Sequence, residues 1–235
     1  MSFTVTLDDI LSLQADAAVL PLEMTGTPTE GKAALRLAQA GGEALGEALR
    51  KLRFLAVGSA AVLDVPELPF SNLIVTAVPR WLTGKANELL VLHRCYESVY
   101  ALAEELGCRK LVSPFLSCCY FHFPQDDAVH IALQSAKQWT GEAVFAADTA
   151  ELYAISQKPW RKPQIVSYVG YYRDQAIFAL DNGLYARVDR RPELHRADTI
   201  PYVEACYRAG TDPRQAPLPE TEILRLRRIW DEAGI

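Results

Sequence analysis

Apolar positions in the first 157 residues follow two periods by turns. Phe3-Thr4-Val5-Thr6-Leu7 repeats every second residue, as a strand with one buried face does. The run Ala17 to Leu20, inside Asp16 to Leu22, predicts a second short strand. Ala33 to Leu49 is alanine-rich at helical spacing and is interrupted at Gly41-Gly42, which predicts a helix broken there. Leu73 to Val78 is β-prone without polar alternation, the pattern of a strand covered on both faces. Between Glu88 and Leu106, the residues Leu92, Cys95, Tyr96, Val99, Ala103 and Leu106 recur at helical spacing, with Gly107 placed to end the helix. Lys110 to Leu116 predicts another buried strand. Asp126 to Trp139 predicts a second amphipathic helix, its two aspartates lying at the positive end of the helix dipole. Val144 to Ile155 is expected to supply the last strand. Strands and helices in this order predict an α/β fold of three layers, a mixed sheet between helices.

From residue 158 the pattern changes. Residues 1–157 carry 11 basic and 18 acidic side chains (net −7), whereas residues 158–235 carry 13 and 11 (net +2). Pro159 and Pro163 keep their preceding residues extended, so we expect 1–157 to form one module and 158–235 a smaller α+β extension. Ile165 to Tyr172, Ala176 to Leu180 and Leu184 to Val188 predict a meander, its last two strands joined at Asn182-Gly183. Asp198 to Ala209 and Pro219 to Glu232 are expected to be helical. Arginines such as Arg187, Arg208 and Arg225 stand among Tyr and Trp in this region. They form either a solvated face or a contact surface, for an acidic protein partner or RNA, for the first module or for a second copy of the chain.

Composition narrows the classes. Of 235 residues, 50% are hydrophobic and 23% charged, as in globular domains, and the net charge of −5 argues against a nucleic-acid backbone as partner. No window has the roughly 18 apolar residues of a spanning helix, so no membrane contact is expected. The opening residues read as a strand and turn and not as a signal peptide, which predicts a cytoplasmic protein. Five cysteines without a Cys-x-x-Cys pair predict neither disulfides nor a zinc site. No metal and no cofactor are expected.

Three stretches, taken in order, resemble the macrodomain family, an α/β/α fold that binds ADP-ribose and related nucleotides. Asp8-Asp9-Ile10 stands where the family has Gly-Asp-Ile, and Asp16-Ala17-Ala18-Val19-Leu20-Pro21-Leu22-Glu23 where it has Asp-Ala-Ile-Val-Asn-Ala-Ala-Asn. Cys95-Tyr96, Pro114 and Leu116-Ser117-Cys118-Cys119-Tyr120-Phe121-His122-Phe123-Pro124 are similar to its later signature, Cys-Tyr and then Ile-Ser-Thr-Gly-Val-Phe-Gly-Tyr-Pro. The resemblance implies that Asp9, with Ile10 beside it, accepts a hydrogen bond from the amino group of adenine; read without it, Asp9 caps the turn from Ile10 to Leu13. Glu23 faces the ribose or solvent, and Lys32 neutralises a phosphate or is simply solvated.

The departures from the family bear on chemistry. Its glycine-rich loop and its Ser-Thr-Gly loop press backbone N–H groups against a diphosphate, which bulky side chains obstruct. Here the first loop is Gly26-Thr27-Pro28-Thr29-Glu30-Gly31-Lys32, and Cys119 and His122 stand where glycines are usual. Leu20 and Glu23 replace the asparagines, and Lys32 lies nearest the acidic position of hydrolytic members. Cys118 or Cys119 with His122 could form a nucleophile or hold a metal, but no third group completes either, so packing roles are expected. Tyr120, Phe121 and Phe123 contact a ligand or fill the core. The resemblance thus implies a divergent module that binds an ADP-ribose-like or other adenine nucleotide without hydrolase activity, its ligand contacts drawn from Asp9, Ile10, Leu20, Glu23, Lys32 and the loop from Ser117 to His122. A hydrolase using Glu23, Glu30 or the Cys-His loop, and a ligand-free module acting through protein contacts, are the alternatives.

Overall fold

In the computed structural model, which describes residues 2–82, 88–119, 123–158, 163–181, 185–191, 197–200 and 218–232, the alternating residues at the start form β1 (Ser2–Thr6). A 3-10 turn at Ile10–Ser12 leads to β2 (Ala17–Leu22), buried at all six positions. Helix α1 (Lys32–Leu52) follows, and Gly42 breaks it with φ 50° and ψ −134°, as the paired glycines predict. Then come β3 (Ala60–Leu63), β4 (Asn72–Ala77), α2 (Glu88–Glu105), β5 (Lys110–Pro114), α3 (Gln125–Gln138), β6 (Glu142–Ala146) and α4 (Ala150–Ser156).

The sheet has the order β1-β6-β5-β2-β4-β3, and its pairings are parallel except for β3 against β4. Alternate residues of β4 enter opposite cores. Ile74 packs with Leu92, Tyr96 and Val99 on one face, while Leu73 and Val75 pack with Leu20 and Leu37 on the other. Helices therefore cover both faces, giving the expected α/β/α layers. Asp16 ties β2 to β5, because one of its carboxylate oxygens accepts from the backbone N–H groups of Arg109 (2.7 Å) and Lys110 (2.9 Å).

Three expectations need correction. The strand expected over 144–155 ends at Ala146, and residues 150–156 are helix α4, because the Thr149 hydroxyl caps it by accepting from Leu152 N (3.2 Å). The edge strand β3 was not anticipated; four residues with an exposed Val62 carry little periodic signal. In the tail, the helix expected over 198–209 does not begin there, since residues 197–200 form a strand, while 201–209 lie outside the described residues. Residues 197–200 are drawn into the ladder by antiparallel pairing with residues 185–188.

The described residues fall into two compact units, the second comprising those from 163 onward. It holds an antiparallel sheet of β7 (Ile165–Tyr172), β8 (Gln175–Leu180), β9 (Tyr185–Asp189) and β10 (Ala197–Ile200), paired in chain order as a meander. Asn182-Gly183, the expected turn, lies outside the described residues, but β8 and β9 pair antiparallel as a hairpin requires. Helix α5 (Glu220–Glu232) buries Leu226, Ile229 and Trp230, and the Trp230 indole donates to the Pro163 carbonyl (3.0 Å). Arg190 stacks on Tyr171, 4.5 Å from its ring centre, and donates to Glu222 (2.8 Å).

Candidate functional site

Because β1, β6, β5 and β2 run parallel, their C-terminal ends lie along one sheet edge, the place where open α/β sheets gather ligands. Beyond those ends stand Asp8 to Ile10, the loop from Glu23 to Gly31, the turn from Phe115 to Cys119, and Ala147-Asp148.

Asp148 joins several of these segments. Helix α1 starts after Gly31, which offers no side-chain cap, and the missing acceptor is Asp148 Oδ1, 2.8 Å from Ala33 N. Its other oxygen accepts from the Cys119 thiol at 3.2 Å. Gly31 makes this approach possible, since a Cβ there would stand 2.6 Å from Asp148 Oδ2. A negative carboxylate at this end of the helix interacts favourably with its dipole.

Asp9 caps the 3-10 turn. One carboxylate oxygen accepts from Leu11 N (3.0 Å) and the other from Arg36 Nε (2.7 Å). The Leu11 amide, and after it Arg36, hold its carboxyl below the usual carboxylate range. The turn reading of Asp9 is thus realised, with Arg36 as a partner that the sequence did not suggest. Asp8, Asp9, Lys32, Arg36 and Asp148 line a cleft with a volume of about 10 Å³. That is of the order one water needs, against roughly 300–1,000 Å³ for small-molecule pockets.

The turn after β5 is held by buried groups. The Tyr96 hydroxyl accepts from Leu116 N (2.9 Å), which gives the Cys-Tyr signature a structural purpose: a residue of α2 fixes the turn. Ser117 adopts a left-handed φ of 64°, and its hydroxyl donates to the Pro79 carbonyl (3.0 Å). Cys118 is buried, and burial raises its thiol well above the ordinary value. Burial, and then the Asp148 charge, push the Cys119 thiol up to about 12. Both thiols are therefore protonated near neutral pH, which removes the thiolate that a nucleophilic role needs. Among the described residues no group of three His, Cys, Asp or Glu side chains could hold a metal, and no helix is long and apolar enough to cross a membrane.

The other predicted residues separate into core and rim. Leu20 is fully buried in the core with Leu37 and Val75. Ile10 is also buried, its side chain forming part of the cleft wall. Glu23 is half-buried and closes its own loop, its N–H donating to Thr27 O (2.7 Å) and its carbonyl accepting from Gly26 N (2.9 Å). Lys32 opens α1 at the cleft. Phe123 packs edge-to-face on Trp81 in the core, at 5.1 Å between centroids. Tyr120, Phe121 and His122 lie outside the described residues. Asp148 and Arg36 were missed. The signal for Asp148 was a polar Asp-Thr pair directly after an apolar run, the usual mark of a strand end.

Comparison with known proteins agrees with this architecture. The family model described as Macro domain matches residues 22–132. A macro domain-containing protein of Mesorhizobium japonicum is 29% identical over 166 residues, covering 66% of this chain and 92% of that protein. One of Chlorobaculum tepidum is 31% identical over 133 residues, covering 55% of this chain and 75% of that protein. Among solved structures, the Oceanobacillus iheyensis macrodomain with ADP superposes with a TM-score of 0.60 at 21% identity, covering 65% of this chain and 86% of that one. With its sheet order, its signature residues and these relatives in agreement, the chain belongs to the macro domain family.

Proposed function

We propose that this chain binds an adenine nucleotide of the ADP-ribose type at the crest of its first sheet and does not hydrolyse ADP-ribosylated protein. The observation that carries the reading is convergence: Asp9, the start of α1 and the Phe115 to Cys119 turn all lie beyond the ends of parallel strands. The Oceanobacillus iheyensis macrodomain, which shares the fold, was solved with ADP. Each Asp9 oxygen has a lone pair beyond those used by Leu11 and Arg36, so the carboxylate can still accept from an exocyclic amine. Lys32 and Arg36 supply positive charge beside it. The argument against hydrolysis is chemical. Leu20 is buried apolar bulk where hydrolytic relatives carry asparagine, and Cys119 is a protonated thiol.

A thermal-shift panel of ADP-ribose, its acetyl ester, NAD, ADP and AMP tests the reading. A ligand at a hundred times its Kd stabilises the fold that binds it by about 2.7 kcal/mol, so ADP-ribose should raise the melting temperature by several degrees. No shift with any of the five refutes nucleotide binding. It would favour a second reading, a module acting through protein contacts, to which the 10 Å³ volume of the cleft also points. Release of ADP-ribose from a modified protein, lost in Glu23→Ala or Glu30→Ala, would overturn the non-hydrolytic part.

A further inference from the structure

The first turn of a helix exposes N–H groups that need an acceptor, and its dipole makes an anion the preferred one. In α1 that acceptor comes from far away in the chain, since Asp148 lies 115 residues beyond Ala33, to whose N–H it bonds. The same carboxylate accepts a hydrogen bond from the Cys119 thiol, so one charged group ties the first turn of α1 to the turn after β5. A phosphate bound at the start of α1 would lie beside that carboxylate.

An amide N–H and a dipole end serve one anion well and a second one badly. A phosphate oxygen seeking Ala33 N meets an ionised carboxylate already 2.8 Å from it. Two negative charges at about 4 Å repel even in water, and more strongly at a half-sheltered site. We propose that Asp148 is the protein's own occupant of the phosphate position and sets the selectivity of the site. While it stays in place, the base end of a ligand can enter but phosphate is opposed. A phosphate-bearing ligand binds by displacing the carboxylate, which is half-buried and followed by the exposed Thr149, so it has a route toward solvent. Displacement also frees the Cys119 S–H, a neutral donor that can turn to the incoming oxygen. This inference rests on the crest being a nucleotide site.

Calorimetric titration of adenosine, AMP, ADP and ADP-ribose into the full chain at one ionic strength tests it, using wild type, Asp148→Asn and Asp148→Ala. Asparagine keeps an oxygen for Ala33 N while it removes the charge and the acceptor of the Cys119 thiol, so Asp148→Asn stays informative even if Asp148→Ala unfolds. Adenosine affinity should change less than about twofold, while ADP and ADP-ribose should tighten by about tenfold or more. If wild type binds ADP-ribose and Asp148→Asn binds it no more tightly, or if adenosine gains as much as ADP, the role of Asp148 is overturned while the nucleotide reading stands. If no protein binds any of the four, both are overturned together.

Discussion

The costs of Gly31→Ala and Asp148→Ala should not add. At residue 31 the backbone has φ −61° and ψ 144°, which alanine adopts freely, so the new methyl group strains nothing by its dihedral angles. Its nearest neighbours would be Asp148 Oδ2 at 2.6 Å and Cys119 Cβ at 3.5 Å, and of these contacts the first is too short to persist. Asp148 must turn away, giving up its bonds with Ala33 N and the Cys119 thiol. Losing a helix cap costs about 0.5–2 kcal/mol and a thiol bond adds little, so Gly31→Ala should cost about 1–2 kcal/mol. Asp148→Ala removes the same bonds directly and should cost a similar amount. With Asp148 already truncated, the methyl at 31 meets no carboxylate. Gly31→Ala should then be neutral, or stabilising by about 0.4–1 kcal/mol through the reduced freedom of the unfolded chain. The double-mutant cycle should therefore show a coupling energy of about 1–2 kcal/mol. Urea unfolding followed by circular dichroism measures it, with an unchanged slope confirming that the unfolded states compare. Equal costs for Gly31→Ala in both backgrounds would refute the contact.

Further perturbations address the rest of the scaffold. Tyr96→Phe leaves the buried Leu116 N–H without its acceptor and should cost about 2 kcal/mol, a fall in Tm of roughly 4–8 °C, together with faster hydrogen exchange at Leu116; an unchanged Tm would remove that role. The amides of Lys110 and Arg109 hold the Asp16 carboxyl below its ordinary value. Its stabilising effect is therefore complete above the unfolded pKa, near 3.9, and is lost as pH falls through the folded value. The stability gap between wild type and Asp16→Ala should narrow with acid, and a constant gap from about pH 6 to about pH 2.5 would contradict the bonds. With its thiol pushed up to about 12, Cys119 should resist iodoacetamide at pH 8 in the folded protein and react once unfolded; rapid labelling in peptide maps of the native protein would show a thiolate.

The sheet was legible in the sequence because its strands had to be. Leu73 to Val78 lacks polar alternation, so a cover on both sides followed, and Ile74 and Val75 do enter opposite cores. Asp9 was legible as a turn residue because capping is local. Arg36 was not, since the bond it makes to Asp9 spans 27 positions. Asp148 was hidden twice over. The apolar run before it invited a strand carried through to Ile155, and its partner Ala33 presents a backbone N–H, to which no side-chain pattern points. The turn after β5 is similar to its family signature, yet the upward shift of the Cys119 thiol depends on burial that only packing creates.

The register of the first strand also sets an order of events. β1 pairs with β6, Ser2 opposite Glu142 and Thr6 opposite Ala146, and among the described residues no strand pairs with its other edge. A growing polypeptide therefore carries its opening residues unpaired until β6 has been synthesised. The intervening strands β2, β4 and β5 can assemble earlier on their own hydrophobic faces. Closing so long a loop is slow compared with local pairing. Docking of β1 should be a late step on the ribosome, and β1 should be the strand most exposed to chaperones while it waits.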